Sequence, residues 1–105
     1  MSREDRVFRA LADPTRRAVF ERLSRGEAPV GHLTERFGVS QPAISQHLAV
    51  LRRAGLVTHR RAGRQAYYRV ETAGLGPLVG WIERYQAFWL DRLQRMKKVL
   101  EEMDR

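Results

Sequence analysis

Four hydrogen-bonding side chains lie close together in the middle of the chain, where their spacing suits recognition of a polar surface. Ser40, Gln41, Ser45 and Gln46 fall within the segment LTERFGVSQPAISQHLAVLRR. Their hydroxyl and amide groups can donate and accept hydrogen bonds at the edges of DNA bases, and a major groove about 12 Å wide admits an α-helix. The chemistry they favour is binding of nucleic acid rather than catalysis.

A buried stripe positions those side chains. Ile44, Leu48 and Leu51 recur at the i, i+4, i+7 spacing of a helix packed on a core. Ser40 suits the N-cap, and Pro42 is tolerated in the first turn, so free backbone N–H groups there could meet a phosphate. The small or polar residues of the opposite face are Pro42, Ser45, Gln46, Ala49 and Arg53.

A second short helix is predicted just before this one. Val30 to Phe37 carries Leu33 and Phe37 one turn apart, and Gly38-Val39-Ser40 is a turn of suitable length and composition. Residues 30–54 are therefore predicted to form a helix-turn-helix.

The positive charge is concentrated in the same region. Residues 1–39 hold 8 basic and 6 acidic residues, residues 40–70 hold 6 Arg and no acid, and residues 71–105 hold 6 of each. The net charges of +2, +6 and 0 add up to the total of +8. A basic surface attracts polyanions in a salt-dependent way, whereas an ordinary solvated face mixes both signs.

The pattern changes to period two over residues 56–70. Strand-forming residues flank Ala62-Gly63-Arg64, which predicts a β-hairpin. Arg60, Arg61 and Arg64 fall at its tip, beside the predicted recognition helix, where they could contact the DNA backbone or the minor groove. The alternative is a mobile charged loop without a binding role.

The first part of the chain reads as two helices. Arg3 to Ala12 has Val7, Ala10 and Leu11 on one face. Asp13 and Pro14 suit the start of a second helix over Thr15 to Ser24. Glu27-Ala28-Pro29 is interpreted as a connector.

A long amphipathic helix is predicted over residues 77–103, about 40 Å in length. Its aromatic and aliphatic stripe exceeds what a small domain easily covers, so we expect residues 1–12 and 77–103 to form a homodimer interface. The alternative is that the helix folds back over its own domain. The expected interface residues are Val7, Leu11, Leu78, Trp81, Ile82, Tyr85, Phe88, Trp89, Leu93 and Met96.

Composition excludes several classes of function. The 105 residues suit one small domain, and the absence of cysteine excludes disulfides and thiolate metal sites. No apolar run approaches the ~20 residues of a membrane span and the N-terminus lacks a signal peptide, so we expect a cytoplasmic protein without a membrane partner. His32, His47 and His59 are isolated, so we expect no metal, cofactor or catalytic residue. His47 is interpreted as a phosphate donor or as a residue at the edge of the core.

The residues together resemble the ArsR/SmtB family of repressors over about residues 5–73. The segments that carry the resemblance are FRALADPTRRAVFERL, HLTERFGVSQPAISQHLAVLRRAGLV and HRRAGRQAYYRV, and the ending WIERYQAFWLDRLQRMKKVL is similar to the SdpR-like branch without metal sites. Metal-sensing members carry Cys pairs or Asp and His ligands; here the terminal helix has Asp91 but no His.

The resemblance implies a mainly α fold with a small β-hairpin, a winged helix-turn-helix that dimerises through its N- and C-terminal helices. It implies binding to a palindromic operator and repression of its own or a neighbouring operon. Residues 1–105 would be one domain, with the wing at 56–70. By resemblance Ser40, Gln41, Ser45, Gln46 and His47 match the DNA-contacting helix, and Arg60, Arg61 and Arg64 match the wing.

The leading hypothesis is thus a sequence-specific regulator whose partners are double-stranded operator DNA and a second copy of the chain. One alternative is a non-specific architectural DNA-binding protein, and another is an interaction module whose aromatic helix docks a partner helix. No feature of the sequence designates a small-molecule or protein inducer. The expected DNA-binding residues are Ser40, Gln41, Pro42, Ser45, Gln46, His47, Arg53, Arg60, Arg61 and Arg64.

Overall fold

Five α-helices and a three-stranded antiparallel sheet build the chain in the computed structural model, which describes residues 1–104 except for the side chain at position 87. A short 3₁₀ helix, Thr72–Leu75, precedes the last α-helix. The other elements are α1 (Arg3–Ala12), α2 (Pro14–Leu23), β1 (Ala28–Pro29), α3 (Val30–Phe37), α4 (Gln41–Arg53), β2 (Val57–Ala62), β3 (Gln65–Val70) and α5 (Gly76–Met103).

One residue, Asp13, joins α1 to α2. Its carboxylate accepts the backbone N–H of Arg16 at 2.9 Å and so caps α2, with Pro14 in the first turn. The side chains of Arg16 and Arg17 turn back and donate to the carbonyls of Ala10 and Leu11, both at 2.8 Å. These bonds satisfy carbonyl groups that the end of α1 leaves free. Helix α2 begins and ends one residue earlier than the sequence predicts.

The core lies where α1, α2 and the helix-turn-helix meet. Ile44, Leu48 and Leu51 are fully buried, which confirms the predicted inner stripe of α4. Val7, expected at a dimer interface, is only 1 % exposed within its own chain. That expectation is wrong for Val7, because the inner face of α1 packs into the core; the other buried apolar residues are Ala10, Val19, Leu23, Ala28, Leu33, Leu56 and Val57.

The sheet contains the predicted hairpin and one strand that the sequence does not reveal. Strands β2 and β3 are joined by the two-residue turn Gly63-Arg64, in which Gly63 adopts a φ of 65°. Ala28–Pro29, interpreted as a connector, pairs with Tyr67 and Tyr68 to give the order β1-β3-β2. A two-residue strand has no detectable period, and Pro29 is tolerated because it lies at the edge of the sheet.

The register of the hairpin separates two arginines that are adjacent in sequence. Val57 pairs with Val70 and is buried, so its face of the sheet is turned toward the helices. Arg61 shares that face because side chains alternate along a strand. Arg60, paired with Tyr67, lies on the opposite face.

Helix α5 is anchored at its first turns and then extends away from the core. Leu78 packs against the core, Trp81 meets the ring of Phe8 edge-on at 5.5 Å, and Arg84 binds Glu4 at 2.7 Å. Farther along, large apolar side chains of α5 are 41–75 % exposed, so this part of the helix does not fold back over its own domain. They include Tyr85, Phe88, Trp89, Leu90, Leu93, Met96, Val99, Leu100 and Met103.

Backbone meets backbone where α5 begins. A Cβ added at Gly74 would lie 1.8 Å from the carbonyl oxygen of Gly55, the residue that follows α4's C-cap. Nearby, the N–H of Glu71 donates to the carbonyl of Leu56 at 2.9 Å. The close approach requires glycine at position 74. Over residues 1–104, none of the helices has both the length and the apolar character of a membrane span.

Candidate nucleic-acid interface

The outer face of α4 carries the hydrogen-bonding residues that the sequence singles out. Ser40 caps the helix, since its Oγ accepts the N–H of Ala43 at 3.2 Å. Gln41, Ser45 and Gln46 are exposed in the first two turns, opposite the buried stripe, and Pro42 is exposed beside them. The start of α4 therefore presents hydroxyl, amide and free backbone N–H groups on one accessible surface.

A groove connects this helix start with the tip of the wing. Arg61 and Arg64 of the wing and Gln41 of α4 all line it, around an open volume of about 580 Å³. Arg61 reaches the groove because its face of the sheet is turned toward the helices. The remaining lining residues are Pro29, Val30, Gly31, His32, Glu35, Gln65 and Ala66. Two arginines and a glutamine thus line the same concave surface with one acid, Glu35, and this excess of positive charge suits phosphates.

Arg60 does not join this groove. Its Nε and Nη2 donate to Glu27 at 3.0 and 2.6 Å, and its guanidinium lies over the ring of Tyr67, 5.1 Å from the centroid. The hydrogen bond from Arg60 is the main reason that the pKa of Glu27 is lowered, and burial opposes it. The same bond raises the pKa of Arg60. The sequence placed three arginines together at the tip, but the structure groups only Arg61 and Arg64.

His47 and Arg53 also lie away from the groove. The His47 side chain is 22 % exposed, and its Nδ1 is 3.9 Å from Oδ2 of Asp13. The backbone N–H of Arg16 is the first cause of the lowered pKa of Asp13, and the charges of Arg16 and His47 add to it. This placement favours the interpretation of His47 as a residue at the edge of the core.

Arg53 is at the far end of α4, about 18 Å from Gln41 at 1.5 Å per residue. There it lines a separate depression of about 260 Å³ together with Arg6 and Arg9 of α1. Sequence position alone suggested one continuous polar face, but the length of the helix separates its two ends.

His59 and Arg52 also support the wing, and the sequence patterns did not single them out. His59 stacks on Tyr68, with centroids 5.1 Å apart, and lies 3.1 Å from Nη1 of Arg52 at the end of α4. The available signal was the strand alternation, since His59 shares a face with buried Val57. Within residues 1–104 no three His, Cys, Asp or Glu side chains are grouped as a metal site would require.

An exposed polar helix beside a basic β-wing, both mounted on a helical core, is the architecture of a winged helix-turn-helix DNA-binding protein. Comparison with known proteins agrees with that class. Residues 11–60 match the model of a helix-turn-helix domain. The chain is 42% identical over 97 residues to the HTH-type transcriptional regulator Rv2034 of Mycobacterium tuberculosis, covering 92% of this chain and 88% of that protein.

Other relatives give the same result. The transcriptional repressor SdpR of Bacillus subtilis is 37% identical over 76 residues, which cover 72% of this chain and 84% of that protein. The solved structure of an ArsR-like transcriptional regulator from Rhodococcus sp. RHA1 matches with a TM-score of 0.73 at 35% identity, covering 92% of each chain. The chain belongs to the ArsR/SmtB family of winged helix-turn-helix transcriptional regulators. It is a DNA-binding regulator and not an enzyme.

Proposed function

We propose that this chain is a dimeric repressor that reads an inverted-repeat operator with two copies of α4 and grips the flanking phosphates with its wings. The observation that carries the proposal is that Gln41, at the start of α4, lines the same groove as Arg61 and Arg64 of the wing. A helix start and a basic wing on one surface allow base edges and phosphates to be contacted together.

The side chains divide the work by their chemistry. Ser45 and Gln46 project from the exposed face of α4 and are the groups suited to base edges in the major groove. Ser40 and the free N–H groups at the helix start suit a phosphate oxygen. Arg61 and Arg64 supply the positive charge that binds the backbone whatever its sequence. A cytoplasmic location is part of the proposal, because the relatives are bacterial regulators and an operator-binding protein acts where the DNA is.

Dimerisation is proposed from the exposed apolar face of α5. Phe88, Trp89 and Leu93 are about half exposed in the single chain, and such a concentration of aromatic and aliphatic surface is typical of a homodimer interface. Two symmetry-related α4 helices roughly 34–36 Å apart would enter successive major grooves on one side of the duplex. Repression, rather than activation, is supported by the repressor SdpR among the relatives.

Two substitutions test the assignment of base contacts to α4 and phosphate contacts to the wing. Gln46→Ala removes a group proposed to read bases, so it should weaken binding to the operator far more than binding to random DNA. Arg64→Ala removes a phosphate contact, so it should weaken both in similar proportion and lower the salt slope by about one. Fluorescence anisotropy over a salt series measures both effects. Equal losses on the two DNAs for Gln46→Ala would contradict base readout by that residue.

A non-specific architectural role is the competing function, and competition binding separates the two. A sequence-specific regulator should prefer its selected site over random DNA by at least about 10³-fold at fixed salt. A ratio near one would instead support a protein that coats DNA without regard to sequence.

A further inference from the structure

The Glu27–Arg60 ion pair spans the whole width of the sheet. Arg60 is in β2, its guanidinium lies over Tyr67 of β3, and Glu27 immediately precedes β1. Tyr67 is paired with Arg60 on one side and with Pro29 on the other, so the ion pair crosses all three strands at the same register position. Two nitrogens of one guanidinium bind two oxygens of one carboxylate, a geometry with little rotational freedom.

The ion pair connects a segment held between two helices with the outer part of the wing, which lies beyond the buried Val57 at the base of the hairpin. Glu27 lies between α2 and the short strand that leads directly into α3, so both of its flanks are held by helices. Arg60 belongs to a hairpin, and a two-stranded hairpin is only marginally stable without further support. Here the third strand is two residues long and gives the hairpin little additional pairing.

We propose that Glu27 and Arg60 form a brace that sets the angle of the wing, which makes both of them positioning residues for DNA binding. The inference rests on the proposed function, because the wing must be held where Arg61 and Arg64 border the groove. Arg60 itself is on the opposite face of the sheet and already has a carboxylate partner. It acts on DNA through the position of its neighbours.

A competing role for the same contact makes opposite predictions. If Arg60 were a phosphate ligand whose guanidinium is occupied by Glu27 in the free protein, removing the carboxylate would make that positive charge available to DNA. Binding would then tighten and become more salt-dependent. If the pair is a brace, removing the carboxylate leaves the wing poorly placed, and binding weakens although the protein has lost a negative charge.

The test uses the full chain and two duplexes of equal length, one selected by the wild-type protein from a random-sequence pool and one unselected. Glu27→Gln and Arg60→Lys each break the bidentate contact. Lysine keeps the positive charge of Arg60 but cannot reproduce the paired N–H donors of the guanidinium group. Each variant should bind the selected duplex about two- to fivefold more weakly, with an unchanged salt slope.

Glu21→Gln is the matched control for the charge change. Glu21 is exposed on α2 and does not line the groove, so its neutralisation should leave affinity equal or slightly tighter. Hydrogen exchange in the free protein provides a second readout: backbone amides of residues 58–69 should exchange faster in Glu27→Gln and Arg60→Lys than in wild type, but not in Glu21→Gln.

Tighter binding by Glu27→Gln with a steeper salt slope would overturn the brace, as would wild-type affinity and exchange in Arg60→Lys. Failure of the proposed function gives a different pattern. In that case the wild-type protein would select no duplex, or Arg64→Gln would leave the salt slope unchanged, while the exchange measurement in the free protein would still report on the brace.

Discussion

Replacing Trp89 by alanine tests whether α5 joins two copies of the chain. The side chain lies beyond the anchored turns of the helix, meets Phe88 edge-on at 5.2 Å, and is 48 % exposed. Because it contributes nothing to the buried core, its removal should leave the fold of a single chain intact.

The size of the effect follows from the exposed area. A large aromatic side chain offers up to about 250 Å², of which the exposed part of Trp89 is about 120 Å². Burying that area contributes about 3 kcal/mol at roughly 25 cal/mol per Å², and a symmetric dimer buries it twice. The upper limit is therefore about 6 kcal/mol. Since alanine retains part of the contact, the dimer should dissociate between about 10²- and 10⁴-fold more readily.

Sedimentation equilibrium over a range of protein concentrations measures the dissociation constant directly. Gln94→Ala is the matched control, because Gln94 is exposed on the polar side of the same helix and alanine favours helix formation. Far-ultraviolet circular dichroism verifies that both variants remain helical. If Trp89→Ala dimerises as tightly as the control, the apolar face of α5 is not the interface, and the reasoning from exposed area is refuted.

Two further substitutions probe the fold that positions the site. Gly74→Ala would place a Cβ 1.8 Å from the carbonyl oxygen of Gly55, so the backbone must shift. The free energy of unfolding, measured by thermal unfolding, should fall by about 1–3 kcal/mol or more. An unchanged melting temperature would contradict the close packing. Asp13 has a pKa below its ordinary value of 3.8, first because the N–H of Arg16 donates to its carboxylate. The ionised carboxylate therefore stabilises the fold above about pH 4, and this contribution is lost as the pH falls through the lower folded-state pKa. Asp13→Asn should therefore unfold in urea with a shallower dependence on pH between about 2 and 4 than wild type, and identical pH profiles would show that the carboxylate has no such role.

Local patterns were sufficient to predict most of the elements. The spacing of Ile44, Leu48 and Leu51 defined the inner face of α4, and the change to period two defined the wing, because each pattern reflects burial of one face of a regular element. The long exposed helix was also evident, since its apolar stripe continues past the point where one small domain could cover it.

Long-range contacts limited what could be predicted for the site. Nothing in the sequence near Arg60 indicates that a carboxylate 33 positions earlier will bind it, so three arginines seemed equivalent although the register separates them. The same limit applies to His47, whose neighbour Asp13 belongs to a different helix. Val7 was assigned to the wrong surface because the periodicity of α1 marks an apolar face without stating what covers it.

The glycine crossing at the root of α5 has a consequence for how proteins of this design can diverge. Gly74 packs against the backbone of Gly55, just after α4, so main-chain atoms hold the root of α5 to the end of the recognition helix. The side-chain contacts of Trp81 and Arg84 with α1 add to this anchor. The outer turns of α5 make none of these contacts, so their side chains can change, and with them the choice of partner, without loosening the root of the helix.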